Sequence, residues 1–426
     1  MKSYSSYQES GVDWIGQVPS SWTVKKGKFL FRNRKEINSE NQCSNLLSLT
    51  LFGVLNKDMD SSEGLRPTDY KTYQVFYKDD LVFKLIDLEN KKTSRVGLVH
   101  ERGIMSPVYI RLIPNKQSLP KYYFYQYFDL YKKYIFNFLG SGVRSSLTPS
   151  DLLDIQLVHP PLPEQIQIVS FLDYKTQKID ELIEKTKKKI ELLKEEQNSL
   201  INHCVTKGLN PNAEMKDSGV KWIGKIPSHW KISKGKYILK VLTGSYPNEL
   251  IEDDYGVAFI KVEDLNHTVD KYYLDESKSS VKRSDAVTPL EKNILLFPKR
   301  GMTIFTNKIV ISRVESYIDP NLMAVKVLQN TNIKFILYVI KSRGLGDICD
   351  SSTIPQINNK HIYPLEFVYP PLSEQHQIVE YLDEQTQNID STIEKETQRI
   401  ELLKEYRQSL ISEVVTGKID VRDWKE

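Results

Sequence analysis

The twelve residues GVDWIGQVPSSW that begin at Gly11 return at Gly219 as GVKWIGKIPSHW, with four changes and an offset of 208 positions. Nothing else in the chain of 426 residues constrains its fold so much, because a sequence that repeats itself at half its length builds one plan twice. A longer match sets how far the copies reach. PPLPEQIQIVSFLDYKTQKIDELIEK from Pro160 answers PPLSEQHQIVEYLDEQTQNIDSTIEK from Pro370, and the likeness runs on through IELLKEEQNSLI and IELLKEYRQSLI to VTKG and VTGK. The blocks between these frames, roughly 28–157 and 236–367, hardly resemble each other. The pattern to explain is a repeated frame around divergent filling.

The long frame segments read as helices. Each follows a Pro-Pro pair, carries Glu and Gln in its first turn, and contains no Gly or Pro over about 40 residues. Apolar residues recur in steps of four and three at Leu172, Ile179, Ile183, Ile190, Leu193 and Leu200, and again at Leu382, Ile389, Ile393, Ile400, Leu403 and Leu410. Polar residues Thr176, Thr186, Gln197, Thr386, Glu396 and Arg407 fill the skipped seam positions. Such heptads predict a coiled coil, each helix roughly 60 Å long. The duplicate helix is the obvious antiparallel partner. Between Asp173 and Glu196 seven lysines alternate with seven acidic residues, which marks a solvated face rather than a cationic stripe.

Both divergent blocks read as mixed α/β. The first holds KDDLVFKLI and SPVYIRLI as strands and an aromatic helix from Pro120; the second holds YGVAFIKVEDL, NILLFPKRGMTIF and LMAVKVL, then a helix from Ile333. The predicted class is α+β: two α/β modules joined by two long antiparallel coiled-coil helices with internal pseudo-twofold symmetry. The boundaries are an opening segment (1–27), a first module (28–157), a first helix (158–207), a linker with the second opening segment (208–235), a second module (236–367), a second helix (368–416) and a tail (417–426).

Basic and amide side chains gather in the turns of both modules. ENKKTSRVG supplies Lys91, Lys92, Ser94 and Arg95, and GSGVRSS supplies Arg144 and Ser145. The second module offers Lys299 and Arg300 in FPKRG, Asn307 and Lys308 in TNK, and Gln356 and Asn358 in SSTIPQINNKH. Arg, Lys, Asn and Gln are the side chains that match guanine and adenine edges in the major groove. A net charge of +4 permits nucleic-acid binding without demanding it.

Catalytic signatures are scarce. The chain has no GxxxxGK[ST] phosphate loop, no HExxH and no GxSxG elbow. FLGSG at Phe138 imitates a methyltransferase cofactor motif, but it follows a predicted helix and lacks an accompanying (N/D)PP(Y/F) segment. Seven scattered histidines and three distant cysteines offer no metal cluster and no disulfide framework. No stretch of about 18 apolar residues spans a membrane, and no secretory signal opens the chain. A cytoplasmic, non-catalytic protein is expected.

With these residues in view, the frame resembles the specificity subunit of type I restriction–modification systems. The resemblance rests on the two WIG…PS.W segments, the two PPL.EQ…LD segments and the two IELLKE helix endings, and it covers essentially the whole chain. It implies that the modules are target recognition domains, each reading one half of a bipartite, asymmetric site in double-stranded DNA. The helices would then set the unread spacer: a 60 Å rod matches about 18 base pairs of B-DNA, enough reach for two half-sites with a spacer between them. It further implies docking of two methyltransferase subunits through Trp14, Trp22, Trp222, Trp230, Glu164, Gln165, Glu374 and Gln375, with restriction/translocase subunits joining them. S-adenosylmethionine and the adenine pocket would belong to the methyltransferase, ATP and Mg to the restriction subunit, and no cofactor to this chain. Two rivals are a self-contained methyltransferase and a coiled-coil scaffold that reads no DNA.

Overall fold

A computed structural model describes residues 2–51, 53–57, 70–86, 88, 94–139, 146–242, 246–247, 251–266, 272–328, 330–350 and 353–426. The chain forms two compact units: one comprises 1–187 with 397–426, the other 188–396. Four helices organise them: α1 (Pro120–Lys132), α2 (Leu162–Lys207), α3 (Ile333–Arg343) and α4 (Leu372–Val415). The two long ones hold 46 and 44 residues, about 69 and 66 Å at 1.5 Å per residue.

The two modules build separate sheets of one strand order despite their unlike sequences. In the first unit four antiparallel strands stand in the order Phe31–Asn33, Ile110–Pro114, Leu81–Phe83, Val96–Leu98. In the second the corresponding order is Leu239–Leu242, Leu322–Val327, Ile294–Pro298, Val310–Ser312, extended by a short parallel strand at Tyr273–Leu274. The central strands Leu81–Phe83 and Ile294–Pro298 are buried along their whole length, which explains their unbroken apolar runs. α1 lies on its sheet through aromatic contacts: Tyr123 meets Phe31 edge-on at 5.2 Å, and Tyr127 meets Phe83 at 4.9 Å. The aromatic stretch from Pro120, read from sequence as one helix, is two. Tyr134 adopts a left-handed backbone (φ +59°) that ends the first, and Ile135–Leu139 forms a separate turn.

In the second unit α3, the sheet, the repeated opening segment and the long helices contribute to a single core. Phe335, Leu337 and Tyr338 pack in one cluster with Phe297, Val325, Trp230, Val205 and Leu382. The long helices pair antiparallel there: Lys189 Nζ meets Glu396 at 2.6 Å, while Gln197 Nε2 reaches Asp390 Oδ1 at 3.0 Å. In the first unit the corresponding positions carry an ion pair, Arg407 to Asp180 at 3.0 Å. All twelve predicted apolar seam residues are buried or half-buried, and Thr176, Thr186, Gln197, Thr386 and Glu396 are buried among them. The heptad thus continues through its polar positions.

Each opening segment is a hairpin, Tyr7–Glu9 with Gln17–Pro19 and Met215–Asp217 with Lys225–Pro227, in the same register. The hairpins exchange supports. Pro19 and Trp22 pack over Gly417 past the end of α4, whereas Pro227 and Trp230 pack over Gly208 past the end of α2. Both glycines hold the left-handed conformation that closes a helix, φ +74° and +75°.

Candidate nucleic-acid interface

The repeated motif Pro-Pro-Leu-x-Glu-Gln is used inside each unit. Glu164 Oε2 accepts the Trp22 indole N–H at 2.9 Å, and Glu374 Oε2 accepts that of Trp230 at 2.9 Å. Gln165 donates to the Pro160 carbonyl at 2.9 Å and accepts the Leu119 N–H, at the start of α1, at 2.9 Å. Gln375 repeats both bonds, to Pro370 at 2.9 Å and from Asn332 at 2.8 Å. Trp22, Trp230, Gln165 and Gln375 are fully buried. This corrects the expectation that their side chains present a docking surface: buried, they tie the module to its helix. Glu164 and Glu374 are half-buried, as are Trp14 and Trp222, the latter beneath the Arg343 guanidinium at 5.7 Å.

A second clamp went unnoticed in the sequence. Asp173 accepts Lys121 Nζ and the Tyr125 hydroxyl, both at 2.7 Å; Asp383 accepts Lys334 Nζ at 2.8 Å and the Tyr338 hydroxyl at 2.7 Å. Burial, reinforced by the neighbouring carboxylate, holds both hydroxyls protonated well above the usual tyrosine range. The signal was legible as Lys-x-x-x-Tyr at the start of each module's helix, opposite the repeated Leu-Asp of the frame. It was hidden because the modules otherwise look unrelated.

The predicted DNA-facing residues separate into three groups. Lys91, Lys92, Arg144 and Ser145 lie outside the described residues. Ser94 and Arg95 are buried at the base of the first module's central hairpin, Arg95 to 1% exposure. Ser94 Oγ donates to the Val96 carbonyl at 2.8 Å. Their expected contact with DNA is corrected accordingly: a fully buried side chain cannot meet a base edge. Asn307 serves the fold, its left-handed backbone (φ +51°) letting its amide donate to Lys341 O at 2.9 Å and accept Leu345 N–H at 3.1 Å.

The rest converge. In the second module Lys299 and Arg300 follow the central strand, and their backbone runs antiparallel to 355–357, with Arg300 opposite Gln356. Ile357 N–H donates to Lys299 O at 2.9 Å, and Gly301 N–H to Pro355 O at 2.9 Å. Arg300, Lys308 and Asn358 are exposed, Lys299 and Gln356 half-buried. Asn358 also stands at the N-cap of the short helix Asn359–Ile362, where its backbone N–H donates to His361 Nδ1 at 3.0 Å. The first module joins the same two loops in the same way: Leu147 N–H donates to Leu85 O at 3.0 Å, just before the short helix Pro149–Asp154. Each module therefore brings together the loop after its central strand and the loop before its return to the frame. Among the described residues no group of three or more His, Cys, Asp or Glu is placed to hold a metal ion. No helix of the described residues is long and apolar enough to cross a membrane.

Two modules of like sheet order carry differing loops, and each is tied by the same bonds to a long frame helix, at Asp173 on α2 and at Asp383 on α4. Residues 26–192 and 227–404 both match the family described as type I restriction modification DNA specificity domain, and the chain belongs to that family. It is 23% identical to the putative type I restriction enzyme MjaX specificity subunit of Methanocaldococcus jannaschii, over 96% of each chain. It is 22% identical to the MjaVIII specificity subunit of that organism, over 82% of this chain and 85% of the other. A chain solved in work on complex assembly and conformational transition of the type I R-M system has a TM-score of 0.74 at 14% identity, over 94% of this chain and 99% of that one. The HsdS subunit from Thermoanaerobacter tengcongensis gives 0.55 at 14%, over 96% and 100%. At these identities the structural likeness speaks for the fold.

Proposed function

We propose that this chain is the sequence-reading, non-catalytic subunit of a type I restriction–modification assembly in the cytoplasm. Each module reads one half of a bipartite target in double-stranded DNA through its paired loops. The observation that carries this reading is their recurrence: two modules of unlike sequence join the same two loops by the same backbone bond, Leu147 to Leu85 and Ile357 to Lys299. Equal scaffolds with different loop chemistry suit an asymmetric target, since base choice rests on the side chains the loops present. The paired long helices set the unread spacer. Two methyltransferase subunits dock on the repeated frame, on surfaces around the buried Trp–Glu–Gln cluster rather than through it, and restriction/translocase subunits join them. Those partners hold S-adenosylmethionine, ATP and Mg; the target adenine is flipped into the methyltransferase.

The test is co-expression with the companion modification subunit in a methylation-free host, followed by sequencing for modified bases. A split motif carrying N6-methyladenine in both halves is expected, and exchange of 236–367 for another module should change one half alone. A complex that forms and binds cofactor yet modifies nothing overturns the reading.

A further inference from the structure

Beside the paired loops of the second module three large apolar side chains face solvent: Met302 is 74% exposed, Phe305 53% and Ile354 50%. They lie on neighbouring segments. The Gly301–Pro355 backbone bond joins the residue before Met302 to the residue after Ile354, and Met302 and Phe305 share the short 3-10 helix Met302–Thr306. The Phe305 ring rests on Gly346, where an added Cβ would lie 2.9 Å from it, so the ring is seated rather than loose. Arg300 and Lys308 stand two residues to either side of the Met302–Thr306 helix in sequence, and Gln356 lies opposite Arg300. The nearby carboxylates are engaged, Asp347 with Arg343 at 3.0 Å and Asp350 with the Gln356 N–H at 3.1 Å.

Exposed apolar side chains accompanied by cations and an amide complement one surface in particular. In the major groove an A·T pair shows a thymine C5-methyl next to the adenine N6 and N7 that an amide pairs, all between phosphates that attract Arg and Lys. The first module holds a smaller apolar residue at the like place: Ile86, 44% exposed, directly follows Leu85 of the paired loops. We propose that Phe305, with Met302 beside it, contacts a thymine methyl in the half-site read by the second module. This deepens the DNA-reading function and rests on it.

The experiment begins from the motif that the wild-type complex modifies. Duplexes in which each thymine of the second half-site is replaced singly by uracil lose only a methyl group. Binding of the wild-type complex should fall about fourfold at one position, the worth of one buried methyl. Phe305→Ala should bind the thymine duplex about as weakly as wild type binds that uracil duplex and be indifferent to the replacement. It should keep its melting temperature and the motif of the first half. Phe305→Leu should keep part of the discrimination. Equal binding to all uracil duplexes, equal losses in wild type and variant, or a half-site without thymine on either strand overturns the assignment while the DNA-reading function stands. A Phe305→Ala chain that no longer joins its modification subunit gives these side chains to a protein partner and overturns it as well. Absence of any split motif strikes the underlying reading first, so the two failures are distinct.

Discussion

Glu164 and Gln165 show how much two adjacent side chains can do: one holds the indole of the opening segment, the other pins the start of α1 to the frame. Their duplicates at Glu374 and Gln375 repeat the work. Elsewhere the units diverge in chemistry. His159 ends the first module's return strand with Nδ1 2.5 Å from the Tyr123 hydroxyl, whereas its counterpart Tyr369 donates to Asn330 O at 3.0 Å. Burial, with the nearby Lys25 charge, lowers the His159 pKa from its ordinary 6.5. The folded chain therefore resists a proton that the unfolded chain accepts: His159's contribution to stability is complete above pH 6.5 and is lost as pH falls toward the lowered folded value. His159→Tyr, which copies the counterpart, should flatten the dependence of melting temperature on pH below 6.5. An unchanged slope would assign that dependence to other groups.

At the scale of elements, the glycines past the long helices are where opening hairpin and helix end meet. Gly417 combines a left-handed backbone with close packing, since an added Cβ would lie 2.9 Å from the Trp22 ring and press on Pro19. Gly11 shares the conformation, φ +72°, with open space around it. Gly11→Ala should cost about 1 kcal/mol from the backbone alone, and Gly417→Ala distinctly more. Urea unfolding of the two variants gives the order; equal midpoints would refute the packing argument. The long helices were legible because a heptad repeats its message every two turns, and even its polar positions, Gln197 and Arg407 among them, lie on the seam. The module sheets were harder to read. Their pairing joins strands far apart in sequence, Phe31–Asn33 with Ile110–Pro114 for example, and no local period records such a partnership. Loop residues were the least legible. Arg95 and Arg300 look equivalent as letters, yet one closes a hairpin inside the fold and the other stands in water.

At the scale of the molecule, that difference separates recognition from stability. Loss of one phosphate contact lowers the slope of log affinity against log salt by about one. Arg300→Ala should show that change, measured on target duplex with the modification subunit present. Arg95→Ala should lower the melting temperature and leave the slope alone. A slope that stays constant in Arg300→Ala would remove that side chain from the phosphate contacts.

The Lys–Asp–Tyr clamp has a consequence beyond mechanics. Beside the Gln165 and Gln375 bonds and the shared core, it asks of a module one lysine and one tyrosine four residues apart, and the frame supplies the aspartate at Asp173 and at Asp383. Both seats therefore make the same demand on the module they hold. On the function proposed above, a population holding many modules combines them in ordered pairs, and its stock of distinct targets grows as the square of its stock of parts. In that sense the repeated frame is a grammar, and its vocabulary can change one word at a time.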